Sequence, residues 1–421
     1  MTPHITQNIN WNKKNYKKWF KTRPINLKWM LLVILLFPMF AATWELKNSG
    51  LSPLQALGML VFTFCFMSII RKKSNAPSLI TAFYIFFFLL IMNLILVLAD
   101  VGSFSQFGDT IRTILPFILF FYFRKYLNNL LDLEGFLITF LIASIFPIGT
   151  LFYEILFNPI REVYNTDSRG GGLRLSGFYS DLFGYMSHLI CGFIAYCYFY
   201  IKYNKNKKHF VFSNLGFIVV YLISLVGIYN LRHQASWAVS LILVLIFVYF
   251  VRKKSSVLQF FYYSLIFSGI GFYFYTEIFE VLFAKDINVY QGNAEDTAAL
   301  NGRVGIWKKY FAYWLEFSFI SQWFGSGFSF HEKASVMMSG GMHNDYIRLF
   351  FSTGIVGILC YLSFLFYLVR NALRIKVLEM KYLMLASVLV IMLYSISSLP
   401  LLASGAMMYF LMAIISQTNK K

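Results

Sequence analysis

The sequence predicts an all-α protein: a polytopic transmembrane bundle of about 12 helices, with one large loop that carries short amphipathic helices. Three observations lead there. Of the 421 residues, 58% are hydrophobic and only 13% charged, and the mean hydropathy is +0.63. A soluble chain of that length needs far more polar surface to cover its core. Apolar runs of about 20 residues recur, each able to cross roughly 30 Å of hydrocarbon. The basic residues fall mainly on alternate loops, as the positive-inside rule requires of a multi-pass membrane protein.

Residues 1–28 carry Lys13, Lys14, Lys17, Lys18, Lys21, Arg23 and Lys28. They are too long and too polar for the basic segment of a cleavable signal peptide, and read as a cytoplasmic tail ahead of an uncleaved anchor. Nine spans are expected within 29–275, at 29–44, 53–70, 79–98, 111–123, 136–152, 182–201, 210–229, 236–251 and 257–275. Three more, at 353–369, 382–398 and 401–417, precede a short tail at 418–421. Arg71-Lys72-Lys73 and Arg252-Lys253-Lys254 follow the second and eighth spans and make those loops cytoplasmic. An even number of spans brings both chain ends to that side. The opposite loops are short except for two, at about 154–181 and 276–352. The second is too long for a plain connector, and loops of that size are commonly functional. Within it, residues 302–317 have helical spacing with apolar and aromatic residues on one face, suited to a helix lying on the membrane surface. Gly325–Phe328 and Ser339–Gly341 are turn sequences.

The net charge of +19 is largely topological, so no nucleic-acid partner is implied. Cys65, Cys191, Cys197 and Cys360 lie inside apolar runs, without metal-ligand spacing or a disulfide framework. The outer loops hold seven of the thirteen arginines, Arg112, Arg161, Arg169, Arg174, Arg232, Arg303 and Arg348, whereas the inner charge is mostly lysine. Any cation satisfies topology, and outer cations oppose it. Guanidinium groups bind phosphate bidentately and keep their charge, so a phosphate- or pyrophosphate-bearing ligand accounts for them, with ion pairs to Asp167, Asp181, Glu316 or Asp345 as the alternative. Arg232 stands between two apolar runs, and Arg112 opens the fourth span three residues after Asp109. His343 ends the long loop where the tenth span begins. An imidazole there can serve as a general base, with Asn344 or Asp345 to orient it. No Walker, GxSxG or GxGxxG segment stands in the right context, which weighs against a nucleotide-driven pump or a serine hydrolase.

His343-Asn344, nine residues, Gly354, two residues and Gly357 resemble the His-Asn/Ser/Gln-x9-Gly-x2-Gly pattern of bacterial O-antigen ligases and polymerases. Gly302-Arg303 with Ile306-Trp307, then Gly325 and Gly327, resemble the segment that precedes that histidine in the family. Arg174, Ser176, Gly177 and Phe178 look like its Arg-x-x-Gly segment, and Arg232 with Trp237 like the arginine heading a mid-chain helix.

The resemblance implies a membrane glycosyltransferase of the C-type fold in the bacterial inner membrane, its large loop periplasmic. Such an enzyme transfers a glycan from undecaprenyl-pyrophosphate to a sugar hydroxyl, without metal or other cofactor. By match to the family's motifs, Arg232 and Arg303 would hold the pyrophosphate, with Arg174 a third, and His343 would take the acceptor's proton. Asn344, Asp345, Arg112 and Arg348 would support them. A polymerase uses a lipid-linked repeat unit as acceptor, and a chain-length regulator is then a possible partner. A ligase uses the lipid A core. The His-Asn-Asp-Tyr-Ile-Arg run (343–348) looks more like the polymerases. A lipid-linked sugar flippase would instead place charges within several spans and show repeat symmetry between halves.

Overall fold

In the computed structural model, the described residues are 11–43, 52–71, 79–99, 104–160, 163–164, 173–175, 177–179, 182–203, 214–251, 284–295, 299, 302–326, 343–397 and 405–418. They are overwhelmingly helical. In chain order the helices are α1 (Lys13–Thr22), α2 (Ile25–Ala42), α3 (Pro53–Ile70), α4 (Thr81–Ala99), α5 (Phe104–Tyr126), α6 (Leu130–Ala143), α7 (Ile145–Leu156), α8 (Phe183–Tyr203), α9 (Asn214–Leu231) and α10 (Gln234–Val251). There follow α11 (Ala284–Tyr290), α12 (Arg303–Leu315), α13 (Phe319–Phe324), α14 (Asp345–Arg374), α15 (Leu378–Ser397) and α16 (Ala406–Ile415).

Among the described residues, seven stretches are long and apolar enough to cross a membrane: α2, α3, the joined α6–α7, α8, α9, α14 and most of α15. Shorter apolar helices lie within α4, α10 and α16. The ninth expected span, 257–275, lies outside the described residues. The loop expected at 154–181 contains a feature that hydropathy does not show: a two-residue antiparallel pair, Val163 opposite Arg174 and Tyr164 opposite Leu173.

Local chemistry explains the helix starts. Ser52 and Gln55 form a reciprocal capping box before α3, with Pro53 in the first turn where its missing N–H costs nothing. Asn129 caps α6 through the Asp132 nitrogen at 2.8 Å. α8 is the central helix, buried along nearly its whole length. His188 lies within it, bonded through Nδ1 to the Ser144 hydroxyl at 3.0 Å and stacked on Phe140, so it is a packed core residue.

The stretch expected to be a cytoplasmic tail is partly ordered. α1 lies along α6, with the Trp11 and Trp19 indoles donating to Glu134 (2.9 Å) and Asp132 (3.3 Å) and Tyr16 bonded to Thr139 (2.7 Å). Arg23 pairs with Asp132 and Lys202 with Glu134, so neither buried carboxylate is left uncompensated. Lysines at 13, 14, 17 and 18 occupy the opposite face, which is the amphipathic division an interfacial helix needs.

A candidate site at one end of the bundle

α14 begins the site. Asn344 is its N-cap: the side-chain oxygen accepts from the Ile347 nitrogen (3.0 Å), and the amide donates to the Ile396 carbonyl of α15 (2.8 Å). The Tyr346 hydroxyl makes a second tie to α15, at the Met392 carbonyl (2.9 Å). Asp345 and Arg348 pair with each other across one turn, at 3.0 and 3.2 Å, and are fully buried. Arg348 also donates to the Thr113 hydroxyl of α5 (2.6 Å). Arg112, the neighbour of Thr113, is half-buried on the same turn. Asn344 and the Asp345–Arg348 pair therefore fix the start of α14 against two other helices. His343 projects from that fixed point as an exposed side chain.

Arg232 occupies the tight turn between α9 and α10. The next residue, His233, caps α10: its carbonyl and its Nδ1 both accept from the Ser236 nitrogen, at 3.0 and 3.3 Å. Tyr394 of α15 donates to the Ser236 hydroxyl (3.1 Å) and stacks on the His233 ring. One turn of α15, Tyr394 to Ile396, thus holds both the turn that carries Arg232 and the cap that carries His343.

These two residues share a backbone property. Among the described residues, Arg232 (φ 45°) and His343 (φ 44°) are the only non-glycines in the left-handed region. Such conformations are uncommon for residues with a Cβ, persist only where surrounding structure imposes them, and cluster at functional sites.

Arg303 reaches the same end by a different route. It is the first residue of α12, after Gly302 at φ 82°. The aromatic face of α12 builds a second small core with the first turns of α14, in which buried Tyr310 meets Ile347 and Phe351, flanked by Ile306, Trp307 and Trp314. The amphipathic helix expected at 302–317 is observed, and part of its apolar face covers protein. Phe311 and Leu315, with Phe319, Ile320 and Phe324 of α13, remain exposed.

α13 locks onto α14 through two glycines. At Gly325 (φ 90°) a Cβ would come 2.1 Å from the Ser352 carbonyl oxygen. At Gly354 (φ 69°, ψ −172°) it would come 2.3 Å from the Trp323 carbonyl. The Ser326 nitrogen closes the contact on the Phe351 carbonyl at 3.1 Å. Gly354 also breaks the helical φ/ψ of α14, so the turns beneath His343 and the spanning part meet at a kink. Gly357 closes in on Thr353, leaving only van der Waals room to Leu89 of α4.

The segment with Arg174 is held by Glu154, a buried carboxylate at the end of α7. It accepts from the Tyr185 hydroxyl (2.8 Å) and the Ile160 nitrogen (2.9 Å). Gly177 (φ 57°) packs directly on that pair, where a Cβ would lie 1.7 Å from the Tyr185 oxygen. Phe183, at the start of α8, meets His233 edge-on, which puts this segment beside the Arg232 turn. The Arg174 backbone pairs with Val163, while its side chain lies outside the described residues. Gly327, Arg161 and Arg169 are also outside them.

Sequence reasoning missed Tyr394, Ser236 and Glu154. Glu154 carried a signal, a carboxylate closing an apolar run. A tyrosine and a serine inside apolar helices carry none.

Compared with known families, residues 219–362 match the model for O-antigen ligase. The match runs from α9 into α14 and contains Arg232, Arg303 and His343. Among curated proteins, none matches the chain.

Proposed function

We propose, from the match of residues 219–362 to the O-antigen ligase family, that this chain is a member of the superfamily of O-antigen ligases and polymerases and a polymerase of O-antigen or a related surface polysaccharide. It takes glycan from undecaprenyl-pyrophosphate and adds it to a sugar hydroxyl of a lipid-linked repeat unit, at the periplasmic face of the inner membrane. The observation that carries this reading is the coincidence of chemistry and strain: the motif-matched arginine and histidine are, among the described residues, the two left-handed non-glycines, and one turn of α15 supports both.

The reaction needs charge stabilisation more than bond-making power. The acceptor oxygen attacks the anomeric carbon opposite the pyrophosphate and the glycosyl–oxygen bond breaks, so the configuration inverts. His343 takes the proton released by the acceptor hydroxyl. Arg232 and Arg303, with Arg174, receive the negative charge that grows on the leaving pyrophosphate, where fixed cations act most strongly. Because the carrier leaves readily, the paired carboxylates of soluble glycosidases are not needed.

A ligase reading is favoured by one observation, the description of the matching family. The donor chemistry is the same and only the acceptor changes, to the lipid A core. A deletion strain complemented with His343→Ala separates the readings on a lipopolysaccharide gel. Core bearing single repeats identifies a lost polymerase, and bare core with carrier-linked long chains a lost ligase. Wild-type ladders from both Arg232→Ala and Arg303→Ala would overturn the pyrophosphate assignment, and a wild-type ladder from His343→Ala would point to transport rather than transfer.

A further inference from the structure

A groove of about 1030 Å³ runs along α3 from Ala56 to Arg71, beside the start of α2, with its Arg71 end away from His343. Its position follows from α5, which meets Arg348 at Thr113 and borders the groove at Tyr126, thirteen residues and about 20 Å further along the helix. The volume is at the upper limit of the roughly 300–1,000 Å³ of small-molecule sites. One stripe of α3 forms its length, running through Leu60, Thr63 and Met67 at helical spacing and ending at Arg71.

The two ends differ chemically. Along the stripe the walls are apolar, closed by Phe64 and Ile25. At the Arg71 end they are polar: Asn26 donates to the Tyr126 hydroxyl (2.5 Å), and that hydroxyl lies 3.5 Å from the Ser68 carbonyl. Lys125 donates to the Ser68 and Ile69 carbonyls (2.6 and 3.1 Å), which neutralises the negative end of α3. Arg71 itself is exposed and has no side-chain partner among the described residues. A mostly apolar channel ending in an exposed guanidinium fits a ligand with one hydrocarbon chain and one anionic headgroup.

We propose that this groove binds an anionic phospholipid from the leaflet at that end of the bundle, its phosphate at Arg71 and one acyl chain along α3. The site is separate from the glycan-transfer chemistry. Native mass spectrometry of the full-length protein, equilibrated with equal phosphatidylglycerol and phosphatidylcholine, tests it. One retained phosphatidylglycerol per chain is expected. Arg71→Gln should weaken its retention about fivefold, the effect of one cation beside an anionic headgroup. Thr63→Trp, on the exposed face of α3, should fill the channel and abolish it. Lys14→Gln, an equal charge loss on the exposed face of α1 and outside the groove lining, should leave it unchanged. Equal retention of phosphatidylcholine, wild-type retention in both groove variants, an equal loss in Lys14→Gln, or a dimer that Thr63→Trp dissociates would each overturn the proposal.

Discussion

Replacing Gly354 by alanine tests how His343 is held. The backbone there has φ 69° and ψ −172°, a region open essentially to glycine alone. Forcing a Cβ into it costs about 1–3 kcal/mol. The added carbon would also lie 2.3 Å from the Trp323 carbonyl carbon and oxygen and 2.5 Å from the Phe324 nitrogen. Those are backbone atoms of α13 and cannot rotate aside, so overpacking adds about 1–3 kcal/mol more. The total, about 2–6 kcal/mol, matches or exceeds the value of the two hydrogen bonds that Ser326 donates to the Phe351 carbonyl from its nitrogen and its hydroxyl, about 1 kcal/mol each. α13 should therefore separate from α14 before the rest of the bundle loses its packing. Gly149→Ala is the control, since no atom lies within 4 Å of its Cβ and it is an interior residue of α7. There alanine should be neutral or stabilise by up to about 1 kcal/mol. Thermal unfolding in detergent and the polysaccharide ladder are the assays: Gly354→Ala should lose most polymer while still being expressed as folded protein. A Gly354→Ala protein with wild-type melting and a full-length ladder would refute this account of the α13–α14 lock.

Other outcomes follow from the same contacts. Asn344→Ser keeps a side-chain oxygen to cap Ile347 but loses the donor to Ile396, so it should be less damaging to melting than Asn344→Ala, which loses about 1 kcal/mol of capping as well. Arg348→Met leaves Asp345 charged and buried, a loss of about 3–5 kcal/mol, and adding Asp345→Asn should recover part of it in a double-mutant melting series. Arg232→Gly and His343→Gly should each melt higher than the corresponding alanine variants, by about 1–2 kcal/mol, because glycine accepts φ near 45° without a Cβ penalty; all four should be inactive in the ladder assay.

Much of this was legible in the sequence because its causes are local. The apolar period set helix placement. The cap at Asn344 follows from residue type and position alone. Tertiary causes were not legible. An ion pair to Asp345 was open in the sequence, but the bond from Arg348 to Thr113, 235 positions away, was not, and it makes two candidate helpers of His343 a fixture of the helix start. Glycines 325 and 354 were visible as a spacing, but only the fold shows that each admits the other's backbone. The order in α1 was hidden because a lysine-rich stretch looks like a solvated tail until the buried partners Asp132 and Glu134 are known.

The strain at Arg232 and His343 has a structural counterpart in α15. Each left-handed residue immediately precedes a helix cap, His233 for α10 and Asn344 for α14, and both caps reach the same turn of α15. Residues that served packing alone would relax to ordinary dihedrals, since a turn can be made with glycine or asparagine at less cost. Keeping a guanidinium and an imidazole in those positions makes sense if both must act on one ligand spanning the two turns. In the proposed reaction the anomeric carbon is bonded to the pyrophosphate, so Arg232 and Arg303 would meet the charge on the leaving side while His343 takes the proton of the acceptor attacking from the opposite side. On that reading α15 would set the relation between the two turns, through Tyr394 and the Ile396 carbonyl.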